Sequence, residues 1–391
     1  MPSELVFSWL LALADPTGLR PPLPDGRLLV ADFTTLCDLA DRHGVLASFL
    51  ANFKHATSDA TLRPCSAKHA TQGEAESSGA ASLRITRDGP GRIVRSPRTF
   101  AASKRADDAT ARALADAERR LVQQTGMVLI LRRQTGELAA ALAEAGVPAV
   151  VLKGTDFADR LYPRPGLRLF RDVDILVSES ARAQADLCME RLGYRPTGAS
   201  LKYASGYGEC GWRRPEAPPA GRMAGGTVEI HWDLVNSPSL RRAVSVPFEA
   251  LQTERPAPPH TGHMAGGLPR LSPTSMLLVA AVHGATSHAF DRLQVLYDVA
   301  QAVRGAAGAL DEAWLAEAAA RTGGALALTA ALALANKVVA EPRCGELLAR
   351  LRLPPTTRLW KPVLTRGVVL RAHAPRDGLR RQAFRELLKR Q

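Results

Sequence analysis

Two short apolar runs set the frame of this chain. The first, Ala149-Val150-Val151-Leu152, runs into Lys153-Gly154-Thr155; the second, Leu169-Phe170-Arg171-Asp172-Val173-Asp174-Ile175-Leu176-Val177, carries two carboxylates one residue apart. Runs of this length between turn residues read as buried strands. Side chains alternate across a strand, so Asp172 and Asp174 share one side and Val173, Ile175 and Val177 the other. A carboxylate pair of this kind can hold a divalent metal. Glycine carries no Cβ, so the turn at Gly154 can bring backbone N–H groups close to a phosphate.

The rest of the chain bounds what surrounds these strands. Its 391 residues exceed one average domain and predict two packed units with linkers. A hydrophobic fraction of 46% fits a globular protein, and no apolar run approaches the roughly 20 residues that cross a bilayer. The opening run Leu5 to Leu13 has no basic region before it, which favours a core helix over a secretory leader and a cytoplasmic location. The five cysteines, Cys37, Cys65, Cys188, Cys210 and Cys344, are scattered without Cys-x-x-Cys spacing, which argues against a disulfide framework and a structural zinc site. A formal charge of +13 permits a polyanionic partner. Much of the excess lies between Arg84 and Arg105 and from Leu351 onward, where aromatic residues that would stack on bases are sparse, so a solvated basic surface explains it.

In chain order, residues 1–54 read as an N-terminal helical segment with apolar positions Leu36, Leu39, Ala40, Val45, Leu46, Phe49 and Leu50, split near Gly44. Residues 55–104 turn to Ala, Ser, Gly, Thr and Arg, a composition that predicts a poorly ordered insertion, with Leu83 to Thr86 as a strand-like island. Residues 105–250 read as an α/β core. Helical periodicity runs from Asp107 to Gly126 and again to Ala145, Gly146 and Pro148 stop it, and Thr155 caps a short helix over 156–162. Ser178 to Leu192 is an amphipathic helix, and 197–226 a Gly/Pro/Arg-rich loop or hairpin with a strand-like piece at Ser200 to Tyr203. Thr227 to Leu234 alternates as a strand, with Glu229, His231 and Asp233 on one side. Residues 270–350 are helical throughout, and a basic tail over 351–391 closes on a helix between Gly378 and Lys389. The fold class is therefore α/β, a mixed-sheet (α+β) core with N-terminal helices and a C-terminal helical domain.

Two aspartates on one strand and a carboxylate on another are the minimum that holds two magnesium ions about 3.5–4 Å apart for phosphoryl transfer. Glu229 is the natural third member. Lys153, Arg168 and Arg171 stand where they could offset phosphate charge, although Lys153 lies in the apolar strand and could pair with a carboxylate instead. Leu152-Lys153-Gly154-Thr155, Arg168, Arg171-Asp172-Val173-Asp174-Ile175-Leu176-Val177 and Val228-Glu229-Ile230-His231-Trp232 together resemble the nucleotidyltransferase superfamily that includes polymerase β. The likeness is strongest to its uncharacterised branch and spans roughly residues 30–55 and 105–340. The superfamily pattern is a strand, Gly followed by Gly or Ser, an Asp-x-Asp or Asp-x-Glu pair, and a lone carboxylate in a later strand. Here Thr155 stands in the hydroxyl place, and sixteen residues, more than is usual, separate it from Asp172.

The resemblance implies an Mg²⁺-dependent, ATP- or other NTP-using transferase with Asp172, Asp174 and Glu229 as catalytic metal ligands. Lys153, Gly154, Thr155, Arg168 and Arg171 would sit toward the nucleotide. His231 reads equally as a neighbour that supports the carboxylates or substrate and as a satisfied strand histidine. His283 and His288, five apart on a helix, have poor zinc spacing and read as packing or substrate contacts. Asp298 could serve an acceptor pocket or pair locally. A metal-dependent glycosyltransferase using Asp-x-Asp and a non-catalytic nucleotide-binding module remain as rivals, and the acceptor (small molecule, peptide, protein or RNA) is open.

Overall fold

The computed structural model describes residues 2–18, 26–58, 82–87, 93–94, 100–197, 206–215, 225–254, 267–305, 309–372 and 374–390. Most of the insertion expected over 55–104, and the strand-like piece at Ser200 to Tyr203, lie outside these. The chain divides into two compact units, Met1–Gln124 and Thr125–Gln391.

In the first unit, α1 (Glu4–Ala14) is capped by Ser3, whose hydroxyl accepts from the Val6 N–H. It buries Phe7, Trp9, Leu10 and Leu13. Helices α2 (Val30–Arg42) and α3 (Leu46–Ser58) meet at a turn where Gly44 has φ +70°. Asn52 donates to the carbonyls of Leu13 and Asp15, closing the end of α1, and Phe33 and Phe53 pack 4.9 Å apart. The Leu83 to Thr86 island falls in a three-stranded sheet of β1 (Gly26–Leu29), β2 (Ser82–Arg87) and β3 (Ile93–Val94).

Helix α4 (Phe100–Glu144) runs unbroken through Gly126 and Gly136, where periodicity suggested two helices. A helical Gly costs about 1 kcal/mol relative to Ala, too little to break a helix in which Met127 and Leu129 follow the first glycine and Glu137, Leu138 and Ala139 the second. Its end matches expectation: Gly146 takes φ +68° and the Val147 N–H reaches back to the Leu142 carbonyl.

The second unit is built on a mixed five-stranded sheet. Its strands are β4 (Ala149–Val151), β5 (Asp172–Val177), β6 (Arg195–Pro196), β7 (Glu209–Arg213) and β8 (Thr227–His231), in the order β4-β5-β8-β7-β6. Only β5 and β8 pair in parallel. Val173, Ile175, Val228, Ile230 and Trp212 are buried on the face away from the carboxylates. Between β4 and β5 lies α5 (Thr155–Leu161). After β5, one 3-10 turn precedes α6 (Arg182–Arg191), where a single helix from Ser178 was expected. Strand β8 ends at His231, short of Leu234: the Asp233 carboxylate turns back to accept from the N–H groups of Val235 and Val246 and the Ser245 hydroxyl. A local acceptor of this kind competes with the sheet ladder and ends it.

The helical part follows. Helix α7 (Pro273–Thr286), capped by Ser272, is buried on nearly every side, as its continuous apolar sequence requires. Around it lie α8 (Leu293–Gly305), α9 (Glu312–Arg321) and α10 (Ala325–Val338), with α11 (Pro342–Arg350) against α10. The basic tail ends in α12 (Gly378–Leu388), close to the expected helix, and Arg385 from it donates to the Thr286 and Ser287 carbonyls at the end of α7.

Candidate active site

The parallel pairing of β5 with β8 builds the site. Register places Asp174 beside Glu229, Asp172 beside Thr227 and Leu176 beside His231, and neighbouring residues in register point to the same face. On the other edge of β8, Glu209 of β7 stands opposite His231 and Gly211 opposite Glu229. Asp172, Asp174, Glu229, His231 and Glu209 therefore share one face. Two contacts fix the strands: the Leu152 N–H donates to the Asp174 carbonyl, and the Gly226 N–H donates to Gln134 Oε1 of α4.

At the centre Asp174 is 2% exposed. Its Oδ1 is 3.0 Å from Lys153 Nζ and 3.2 Å from His231 Nε2. Burial alone would raise its pKa, but Lys153 and His231 outweigh it and hold the carboxyl far below the usual range. Burial first, then the charge of Asp174, pushes Glu229 up to about 7. The Asp174 charge, then burial, raises Asp172, which is half-buried. Lys153 is charged: burial opposes its charge, but Asp174 and Asp172 hold its pKa above the ordinary value.

Among the described residues, the ligand atoms of Asp174, Glu229 and His231 lie within 4.8 Å of one another. His231 Nε2 is 3.2 Å from Asp174 Oδ1 and 3.6 Å from Glu229 Oε2. Adjacent ligands about 2.1 Å from one ion at right angles stand roughly 3 Å apart, close to the two distances at His231, so this donor set could hold a divalent cation. Asp172 stands outside this tight group on the same face.

The other expected residues divide into those at the cluster and those tied elsewhere. Lys153 pairs with Asp174, the alternative the sequence left open, and lies 3.2 Å from His283 Nε2 and 3.4 Å from Nδ1. Burial, then the Lys153 charge, holds His283 well below its ordinary pKa, so the neutral ring accepts from the ammonium. His283 also meets the edge of His288, whose Nδ1 is 3.4 Å from Asp291. Asp298 is tied to residues distant in sequence, not capped or paired within its own segment. Arg168 grips it through two 2.8 Å hydrogen bonds, and the Tyr162 hydroxyl donates to it at 2.7 Å, all three side chains being buried. The remaining Arg168 nitrogen reaches the Gly154 carbonyl at 3.5 Å, which ties this cluster to the glycine turn.

Gly154, not Thr155, occupies the cap position of α5. Its φ of +53° with ψ of −110° belongs to a region that side chains exclude. Thr155 is the first helical residue, buried, with its hydroxyl donating to Thr135. Arg171 is exposed one residue before Asp172, and among the described residues it has no side-chain hydrogen bond or ion pair.

Glu209 was not expected here. It lies in the stretch that reads as a Gly/Pro/Arg-rich loop, and only the brief alternation Glu209-Cys210-Gly211-Trp212 hinted at a strand. Its Oε2 is 3.2 Å from His231 Nδ1.

The mixed sheet thus presents an Asp-x-Asp strand and an in-register carboxylate beside a glycine turn, with Asp174, Glu229 and His231 grouped so that they could hold a metal ion. The family model described as uncharacterised nucleotidyltransferase matches residues 95–340, and the chain belongs to that family. Membership implies a nucleotide substrate and nucleotidyl transfer as the reaction class. No curated protein and no solved structure matches the chain. Among the described residues, no helix is long and apolar enough to cross a membrane.

Proposed function

We propose that the protein is a divalent-metal-dependent nucleotidyltransferase that moves a nucleoside monophosphate from an NTP, ATP first among them, to an acceptor with release of pyrophosphate. The observation that carries this reading is the register pair Asp174–Glu229, with Asp172 on the same face. Asp172, Asp174 and Glu229 would hold Mg²⁺, two ions in all. The metal would neutralise the triphosphate and stabilise charge on the attacking and leaving oxygens. The chain's own residues bind and orient. Gly154 would let backbone approach a phosphate, and Arg171 is an exposed cation one residue before Asp172 that would be available to the nucleotide. Lys153 and Arg168 are committed to Asp174 and Asp298, so their part is to hold carboxylates and the glycine turn in place. Positioning and electrostatics supply most of the rate in this chemistry.

The glycosyltransferase reading has no use for a third carboxylate aligned with the Asp pair, and Glu229 beside Asp174 speaks against it. The non-catalytic reading has one point in its favour, because Lys153 already compensates Asp174. Pyrophosphate release, measured with purified protein, labelled NTPs and cell extract, separates these. Transfer that depends on metal and is lost in Asp172→Asn and Asp174→Asn supports nucleotidyl transfer. Unchanged turnover in both variants sinks it, and NTP binding without pyrophosphate release under any acceptor puts the non-catalytic module ahead. Mass spectrometry of the same reactions identifies the acceptor.

A further inference from the structure

His231 is a feature that the carboxylate scheme leaves without a task. It is 4% exposed, yet it carries two ring nitrogens toward carboxylates on opposite sides. Nε2 points at Asp174 and Glu229, at 3.2 and 3.6 Å. Nδ1 is buried without an aligned hydrogen bond, and Glu209 Oε2 stands 3.2 Å from it. Glu209 is set there by the β7–β8 register, directly across from His231. A histidine that ligates a metal through one nitrogen donates the other N–H to a carboxylate, which fixes the tautomer and ring orientation. Glu209 Oε2, 3.2 Å from Nδ1 but not aligned with it, is near enough to take that role after a small turn of the ring or the carboxylate.

We propose that His231 supplies a nitrogen ligand, through Nε2, to the metal held by Asp174 and Glu229. Glu209 is the positioning residue that keeps the proton on Nδ1. This rests on the metal-dependent reading above and goes beyond its all-carboxylate ligand set. It has a consequence for the ion. An oxygen-only site suits Mg²⁺, whereas an imidazole suits first-row transition ions, so this position takes Mn²⁺ in preference to Mg²⁺ by more than an all-carboxylate site would. Glu209 does not touch the metal; it acts through the imidazole.

The test is Mn²⁺ bound to the full-length protein, read by electron paramagnetic resonance. Loss of the free-ion signal gives the affinity, and pulsed measurements detect nitrogen-14 coupled to the bound ion. The wild type is expected to show that coupling. His231→Gln should abolish it and weaken Mn²⁺ binding about 10- to 100-fold, with a smaller loss for Mg²⁺. Glu209→Gln should keep the coupling and weaken Mn²⁺ about tenfold. The wild-type spectrum decides even if a variant fails to fold. Mn²⁺ that binds in an Asp174-dependent manner without nitrogen coupling overturns the His231 assignment and leaves the metal-dependent reading intact. Mn²⁺ binding indifferent to Asp174→Asn overturns both.

Discussion

Replacing Glu229 by Gln in metal-free protein tests whether the carboxylates are held together at a cost. Burial and Asp174 lift Glu229 from an ordinary 4.5 to about 7. A raised acid stabilises the fold least where it must ionise. Below pH 4.5 it is neutral in both states; between 4.5 and 7 only the unfolded chain ionises, so stability falls as pH rises; above 7 the full penalty is present. At about 1.4 kcal/mol per pKa unit the penalty is roughly 3 kcal/mol, and about 1–3 kcal/mol once partial solvent exposure screens it. Other groups titrate in the same window. His283 and His288, held low by burial, make stability rise with pH up to about their ordinary value, whereas His231, held up against burial by Asp174 and Glu209, works the other way. The wild-type profile mixes these; the difference between variant and wild type removes His283 and His288 and leaves Glu229 with the smaller change its loss makes at His231. Urea unfolding in chelator should show the two proteins nearly equal at pH 5 and Glu229→Gln more stable by about 1–3 kcal/mol at pH 8. Excess Mg²⁺ should then reverse the order, since a ligand at 100 times its Kd adds about 2.7 kcal/mol to the protein that binds it. A difference that does not change with pH, or a variant that is less stable at pH 8, refutes the reasoning.

Asp298→Ala leaves Arg168 buried without its partner and should cost about 3–5 kcal/mol in thermal or urea unfolding, with the nucleotide site impaired through the Gly154 turn. Gly154→Ala forces a Cβ into a glycine-only conformation, 3.4 Å from Phe170 Cδ2, and should cost about 1–3 kcal/mol with weaker NTP binding by calorimetry. Lys153→Met removes the cation that competes for Asp174 and should tighten metal binding about tenfold while lowering the stability of the metal-free protein; weaker metal binding by calorimetry would show that Lys153 supports the ion instead.

The site was legible where it depends on local pattern. Alternation alone put Asp172 and Asp174 on one face, the apolar runs located β4 and β5, and the alternating Thr227 to Leu234 pattern located β8. Residue order could not reveal that β5 and β8 are parallel neighbours with Asp174 beside Glu229, since register is settled by the whole sheet. Glu209 stayed hidden for the same reason: five residues of β7 earn their strand only by pairing with β8. Arg168 and Asp298 are 130 residues apart, and a buried ion pair at that separation leaves no periodic mark. Thr155 shows the opposite error. Its place after the glycine suggested a cap, but the conformation that only Gly154 can adopt makes Gly154 the cap and Thr155 the first helical residue, with its hydroxyl toward Thr135.

The charge arrangement links these observations. Asp172, Asp174, Glu229 and Glu209 share one face, and the cations in direct contact with them are Lys153 and His231. Without a metal, Asp172, Asp174 and Glu229 cannot all ionise cheaply: Lys153 and His231 both contact Asp174, and Glu229 and Asp172 shift upward in its field. A divalent ion adds positive charge at this face, and the groups left raised, Glu229 and Asp172, are the ones it draws into ionisation. On the metal-dependent reading, the strain stored in Glu229 is released by the ion. The same residue that weakens the metal-free protein at neutral pH is then the one whose removal costs most of the metal's stabilisation.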